Sequence, residues 1–255
     1  TAALEAAEVG HEVYLVEKNP FLGGRVMQLN KYFPKLCPPS CGLEIQFQRL
    51  KKNPNVTSMT MAEVVSVSGQ PGNYEVAVRI KPRHTAPASV DLRKLAEQLS
   101  QNVPNEFEFS LAKRKALYLD VPFAYPQRFV LDTKNITDED KKSLSKNEYI
   151  DLEEKEKTVT LNVGSIILAT GWKPYDVTNL TNLGAGRLQN CIHNMQMERL
   201  ASPCGPTNGK ILRPSDHKAP KKVAFVQCAG SRDENHLSYC SYICCMASLK
   251  QAQYV

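Results

Sequence analysis

No apolar run in the 255 residues approaches the ~18 that a membrane-crossing helix needs, so this chain does not span a bilayer itself. A nucleic-acid-binding motif is lacking too. Lys plus Arg number 32 against 26 Asp plus Glu, and the net charge of +6 is spread along the chain rather than gathered in a patch. Nucleic acid is therefore not an expected partner. Cysteine is missing from a long central stretch, with none between Cys41 and Cys191. The eight that exist are unevenly placed: five lie in the last 52 residues, four of them from Cys228 to Cys245. An evenly spread disulfide framework would look different, and a chain of this length does not need one. Metal, cluster or redox chemistry is the better starting point. What is present, 42% apolar and 23% charged residues, supplies a buried core and excludes disordered or collagen-like sequence. There is no initiator methionine, and the chain stops at Gln253-Tyr254-Val255 inside an apparent helix. Both ends read as those of an internal piece of a longer protein, so a missing targeting segment carries no weight.

Residues 1–9 are small and apolar at helical spacing, and Gly10 offers a helix stop. Next comes His11-Glu12-Val13-Tyr14-Leu15-Val16-Glu17, an apolar strand ending in an acid, followed by the turn Lys18-Asn19-Pro20. Helix, glycine, strand and terminal acid are the second half of a dinucleotide-binding βαβ unit. Glu17 could accept hydrogen bonds from an adenosine ribose, with Lys18 beside it. Phe21-Leu22-Gly23-Gly24-Arg25 follows, where the glycines let backbone approach a pyrophosphate and Arg25 supplies positive charge. Far downstream, Val163 to Gly171 reads as a buried strand running into a glycine turn. It resembles the Ala-Thr-Gly segment (Ala169, Thr170, Gly171) by which two-dinucleotide-binding-domain flavoproteins return to the FAD domain.

Between these pieces, residues 43–52 suggest a short helix with Leu43, Phe47 and Leu50 on one face. Val56 to Lys81 reads as short strands around the turn Gly69-Gln70-Pro71-Gly72. In the flavoproteins just named, such a hairpin supplies backbone contacts to adenine, which makes Val64 a candidate neighbour. A helix is expected at Asp91–Ser100, and residues 134–157 as a charged, solvated excursion. Ser202 to Pro220, rich in Pro and Gly, is a linker candidate, and Lys221 to Cys228 begins a new strand.

After that strand a second phosphate-binding Gly-x-Gly-x-x-Gly would be expected, but cysteines stand in its place, which argues against NAD(P)H here. The spacing is C-x11-C-x3-C-C over Cys228, Cys240, Cys244 and Cys245. On a helix Cys240 and Cys244 would share a face, with Cys245 beside them and Cys228 arriving from the strand end. Four thiolates so placed suit a 4Fe-4S cubane. Zinc is the weaker metal, because adjacent cysteines rarely both reach one tetrahedral ion. A dithiol or a group of small buried hydrophobes stays open beside the cluster. Cys37 and Cys41 form a separate pair near a helix N-terminus, where a thiol can become a redox group or a ligand. Cys191 and Cys204 have no evident partners.

With these segments in view, the chain resembles the A subunits of heterodisulfide reductase. More closely still, it resembles the A-type flavoprotein of the quinone-interacting membrane-bound oxidoreductase complex of sulfate reducers. The likeness rests on VEKNPFLGGRVMQLNKYFPKLCPPSCGLEI, PNEFEFSLAKRKALYL, GPTNGKILRPSD and VAFVQCAGSRDENHLSYCSYICCMASLKQA. It implies an α/β, thioredoxin-reductase-like flavoprotein with two dinucleotide-binding domains, truncated at both ends. Residues 1–217 would be the FAD-binding domain, with a β-rich and charged excursion at about 56–158, and 218–255 the start of the second domain. It further implies FAD, a 4Fe-4S cluster on the four clustered cysteines, and electron transfer between menaquinol and adenylylsulfate reductase. The implied partners are a cluster-bearing, heterodisulfide-reductase-like B-type protein, a membrane haem protein of the C type and adenylylsulfate reductase. The implied place is the cytoplasmic face of the inner membrane, reached through another member of the complex. Heterodisulfide reductase A subunits insert a ferredoxin-like module with two cysteine-rich motifs just before their Pro-Asn-Glu-Phe segment. Here Arg83 to Pro104 holds no cysteine, which favours the quinone-interacting relative over a ferredoxin-linked bifurcating protein. Two readings compete: a flavin dithiol oxidoreductase using Cys37 and Cys41, and a non-enzymatic, zinc-stabilised scaffold.

Overall fold

The computed structural model describes residues 1–87 and 90–255 and shows a mixed α/β chain in two compact units. The first comprises Thr1–Gly24, Ser40–Val103 and Lys113–Thr170; the second, Arg25–Pro39, Pro104–Ala112 and Gly171–Val255. These units divide the chain elsewhere than at residue 217, and the proposed linker at 202–220 lies as turns inside the second.

The first unit opens as its sequence suggests. Helix α1 (Ala2–Glu8) buries Leu4 and Ala7, and Gly10 follows at φ +98°. Strand β1 (Val13–Glu17) leads on to helix α2 (Pro39–Lys52) and strand β2 (Val56–Thr60). β1 and β2 pair in parallel, with Val13 opposite Val56 and Glu17 opposite Thr60. Helix α2 starts four residues before its expected position, because a proline in the first turn forfeits no intrahelical hydrogen bond. Leu43, Phe47 and Leu50 are half-buried on it, as the spacing requires, and Phe47 stacks on Tyr125 at 5.2 Å. Arg49 reaches Glu5 (3.0 Å) and Glu8 (2.7 Å) on α1.

Strands β3 (Ala62–Gln70) and β4 (Asn73–Ile80) make the expected hairpin. Gly69 is obligatory there, since a Cβ would meet the Asn73 carbonyl oxygen. Helix α3 covers Arg93–Glu97, shorter than the sequence suggests. Short strands β5 (Asn102–Pro104), β6 (Lys113–Lys115), β7 (Leu117–Tyr118) and β8 (Val130–Leu131) come next. The charged stretch that follows is not merely solvated. Within it, helix α4 (Asp138–Leu144) is capped reciprocally by Thr137 and Asp140, and Asp140 also accepts from the Ser100 hydroxyl at 2.9 Å. Leu144 is fully buried in a cluster with Leu92, Ala96, Leu99, Leu117, Phe129 and Leu131. Charge on one face and a single large apolar side chain on the other suffice to dock such a helix.

Strand β9 (Lys157–Val163) adds to β4 antiparallel, so Ala62, Val76 and Val78 make a second small core. β9 ends where the strand Val163–Gly171 was expected to begin. Residues 165–170 pair with no strand among the described residues, and Leu168 is 84% exposed. The expected strand Lys221–Cys228 is likewise unpaired, with Val223, Phe225 and Val226 exposed. An apolar run of this kind becomes a strand only where a neighbour supplies its ladder. Among the described residues of the second unit the α-helices are α5 (Asn194–Ala201) and α6 (Cys244–Ala252). No helix among the described residues is long and apolar enough to cross a membrane.

Candidate functional site

In the first unit, Glu17 ends β1 and its Oε1 accepts from the backbone and side-chain amides of Asn19 (2.8 and 2.9 Å). Lys18 pairs with Glu63 at 3.0 Å; Lys18, then Arg79 and Lys81, hold the Glu63 carboxyl down at about 2. Gly23 (φ +108°) and Gly24 (φ +52°) both take positive φ at this turn. A Cβ on Gly24 would meet nothing within 4 Å, so the turn faces open space into which a ligand could come. Val64 is half-exposed beside a β-bulge, where the β3–β4 register shifts between Val64 and Ser66. Ala169 and Thr170 are exposed and outside any strand.

Sequence reading overlooked Arg83. Its buried guanidinium donates to Pro20 O (2.6 Å), Thr60 Oγ1 (2.8 Å) and Arg128 O (3.1 Å), bracing the turn that leads to the glycines. Burial, with Arg128 nearby, draws its pKa down to about 10. Phe21 and Leu22 are buried beside it, and the Leu22 N–H donates to Tyr125 O at 2.7 Å.

In the second unit, Arg25 donates through Nε to Trp172 O (3.0 Å) and through a terminal nitrogen to Gln28 (3.1 Å). It lines a cavity of about 590 Å³ with Lys173, Tyr175, Arg187, Cys191 and His193, a size usual for small-molecule sites. Gly171 takes φ +69° with nothing within 4 Å of a Cβ. Cys191, which has no evident partner in the sequence, is therefore a cavity residue; its thiol donates to Leu183 O at 3.4 Å.

His193 caps α5. Its Nδ1 accepts from the Gln196 N–H (3.3 Å), while its backbone N–H donates to Gln196 Oε1 (3.1 Å). Burial first, and the Arg25 charge second, lower its pKa from 6.5. The imidazole is thus neutral with its proton on Nε2. A depressed folded-state pKa means that this stabilisation is whole above pH 6.5 and is lost as pH falls through the lower folded value. Asparagine at 193 would keep the cap without the titration. Melting curves between pH 7 and 5 should show the wild-type protein losing more stability than His193→Asn; equal losses would contradict this.

Buried charge anchors both helices. Arg199 and Glu108 form a bidentate pair (2.8 and 2.8 Å) with side chains 1% and 6% exposed, and Arg199 lies over the Phe107 ring. Glu198, also on α5, takes the Asn30 N–H (2.9 Å), Lys250 Nζ (2.9 Å), Gln251 Nε2 (2.7 Å) and the Tyr254 hydroxyl (3.3 Å). Three of those four donors come from α6 or just beyond it, so Glu198 fixes the helix that begins at Cys244.

The cysteine quartet lies wholly in this unit, and its members influence one another. Desolvation, then the thiols of Cys244, Cys228 and Cys240, push the Cys245 thiol up. Cys244 is drawn down by the Ser241 hydroxyl (3.2 Å) and by the N–H groups at the start of α6. Cys240 is not on the helix, contrary to its spacing. Tyr242 at φ +59° breaks the chain before α6, and Cys240 arrives from a turn where its sulfur accepts from the Tyr242 N–H at 3.4 Å. Cys228, at φ +54°, enters from the opposite end of the loop. Among the described residues no three His, Cys, Asp or Glu side chains converge as around a single ion. All eight cysteines are free thiols; Cys37 bridges to Tyr32 in the second unit, whereas Cys41 is exposed on α2 in the first. Because thiolate is the reactive form, Cys244 should be alkylated before the more exposed Cys245 in metal-free protein near neutral pH. Mass-spectrometric mapping over time reads the order.

No protein-family model matches the chain. It is 40% identical over 257 residues to a CoB–CoM heterodisulfide reductase iron-sulfur protein of Methanopyrus kandleri, the second of that organism's A subunits. It is 36% identical to the A subunit of the H2/formate:CoB-CoM heterodisulfide,ferredoxin reductase of Methanococcus maripaludis, and 35% identical to a ferredoxin/F420H2-dependent counterpart from Methanosarcina acetivorans. Each match covers 99–100% of this chain but 39%, 39% and 32% of those relatives. Relatives of this kind match over 257 to 265 residues against 255 here. In this chain the stretch from Arg83 to Pro104 is free of cysteine. Over its whole length the chain is thus a sequence of the heterodisulfide reductase A-type.

Proposed function

We propose that this chain is the FAD-containing electron-transfer part of a heterodisulfide-reductase-type oxidoreductase, with a 4Fe-4S cluster at Cys228, Cys240, Cys244 and Cys245. The observation that carries the reading is the quartet: four free thiols, drawn from two ends of one loop and a helix start, close enough that three of them perturb the fourth. Bound FAD would supply two-electron chemistry and the cluster one-electron transfer. Toward the flavin, Glu17 and Lys18 would meet the ribose end, and Gly23, Gly24 and Arg25 the pyrophosphate. Val64 would lie near adenine, and Ala169, Thr170 and Gly171 near the ring. Toward the cluster, Cys244 offers a thiol drawn down by the Ser241 hydroxyl, and the Glu198 network holds its helix in place.

The relatives' names favour a heterodisulfide reductase complex as the setting, with other subunits of that complex as partners. One observation favours the quinone-linked alternative: no cysteine occurs from residue 42 to 190, so ferredoxin-type clusters have no ligands there. In that setting a cluster-bearing B-type protein, a membrane haem protein of the C type and adenylylsulfate reductase would be the partners. The chain would then sit at the cytoplasmic face of the membrane, passing electrons between menaquinol and adenylylsulfate reductase in sulfate respiration.

An anaerobic reductive titration of the complete protein, followed by visible absorption, tests the shared core of these readings. Bleaching of flavin together with a broad iron–sulfur band supports electron transfer. A flavin–thiolate charge-transfer band with no iron would point instead to a dithiol at Cys37 and Cys41, and a colourless zinc protein to a scaffold.

A further inference from the structure

Tyr175 stands in the wall of the second unit's cavity, and its hydroxyl lies 2.6 Å from Nδ1 of His236. The two rings meet edge to face, with centroids 5.8 Å apart. His236 belongs to the loop between Cys228 and Cys240. That loop is tied to itself by Leu237 N–H to Gly230 O (3.2 Å) and His236 N–H to Asp233 O (3.1 Å), with a bridge between Ser231 and Leu237. Gly230, two residues after Cys228, lies against the Tyr175 ring so closely that a Cβ would come within 2.5 Å of its carbons. One aromatic side chain therefore touches the cysteine loop at two places, and its other side faces the cavity.

We propose that Tyr175 and His236 are a positioning pair that holds the loop between Cys228 and Cys240 against the cavity wall and so sets the surroundings of the quartet. The inference rests on the cluster reading above. A loop held in this way limits water around the sulfurs, and cluster potentials respond to solvent exposure and to hydrogen bonding. Loosening the loop would admit water, which favours the more negatively charged, reduced state. The potential should therefore rise when the pair is broken.

The test uses the complete protein with its cluster reconstituted, comparing wild type with Tyr175→Phe, His236→Asn and Gly230→Ala. Phenylalanine keeps the ring and removes only the hydroxyl; asparagine places a polar atom near the position of Nδ1; alanine at 230 pushes the ring away. Tyr175→Phe and Gly230→Ala should keep the wild-type iron content but favour reduction roughly tenfold, about 59 mV upward for a one-electron couple. Their reduced EPR spectra should broaden, and His236→Asn should remain close to wild type. In metal-free protein, deuterium uptake across residues 229–239 should rise in Tyr175→Phe and Gly230→Ala, an effect that does not depend on iron. Full iron content with unchanged potential, spectrum and uptake in Tyr175→Phe would overturn the pair's role while leaving the cluster standing. Wild-type protein that binds no iron would overturn the cluster reading and this inference with it.

Discussion

Arg199→Met is expected to destabilise the protein by about 3–5 kcal/mol, a large share of the ~5–15 kcal/mol that holds a typical domain together. The methionine would fill similar space and leave the Glu108 carboxylate without its bidentate partner, at a site where both side chains are almost wholly buried. The loss would come from the stranded charge rather than from the pair's net attraction, which desolvation largely offsets. That reasoning predicts an asymmetry. Arg199→Met combined with Glu108→Leu should recover most of the stability, whereas either change alone should not. Urea unfolding of the four proteins gives the coupling directly. Additive losses in the double variant would show that the pair is not the source.

Serine at Cys228, Cys240, Cys244 or Cys245 should lower bound iron by about four per chain, since a cubane needs all four sulfur ligands. Serine at Cys191, Cys204, Cys37 or Cys41 should leave iron unchanged. The two sets separate because of position. Cys228, Cys240 and Cys244 all bear on the Cys245 thiol, whereas the Cys191 thiol is engaged with Leu183 O. If Cys37→Ser or Cys41→Ser lost iron to the same extent, the ligand set would be wrong. Ser241→Ala gives a graded companion: without its hydroxyl the Cys244 thiol should titrate higher and take up iron more slowly.

What the sequence made legible was local. The α1–Gly10–β1 run could be read because apolar spacing, a glycine stop and a strand-end acid all act within a few residues. The quartet was legible as a spacing, four cysteines within 18 residues. Failures came where geometry depends on something distant. Ile166 to Leu168 and Val223 to Val226 have strand composition, yet a strand needs a partner, and among the described residues none lies alongside. Cys240 was placed on a helix because its spacing from Cys244 fits one turn; the left-handed backbone at Tyr242 ends that continuity. Arg199 and Glu108 stand 91 residues apart, and Tyr175 and His236 stand 61 apart. No periodicity announces such pairs. The charged excursion misled for a related reason: Leu144 and Asp140 are buried residues in a polar run, and their partners Leu92 and Ser100 lie 52 and 40 positions earlier.

The central claim is that Cys228, Cys240, Cys244 and Cys245 hold an iron–sulfur cluster in a flavin-containing electron carrier. The most direct measurement is low-temperature EPR of the dithionite-reduced complete protein, purified without oxygen, with iron, zinc and flavin counted on the same sample. The account predicts bound flavin, and a reduced-cluster signal and about four irons per chain that are lost together in Cys240→Ser. Flavin with no iron and no signal, or zinc in place of iron, would contradict it.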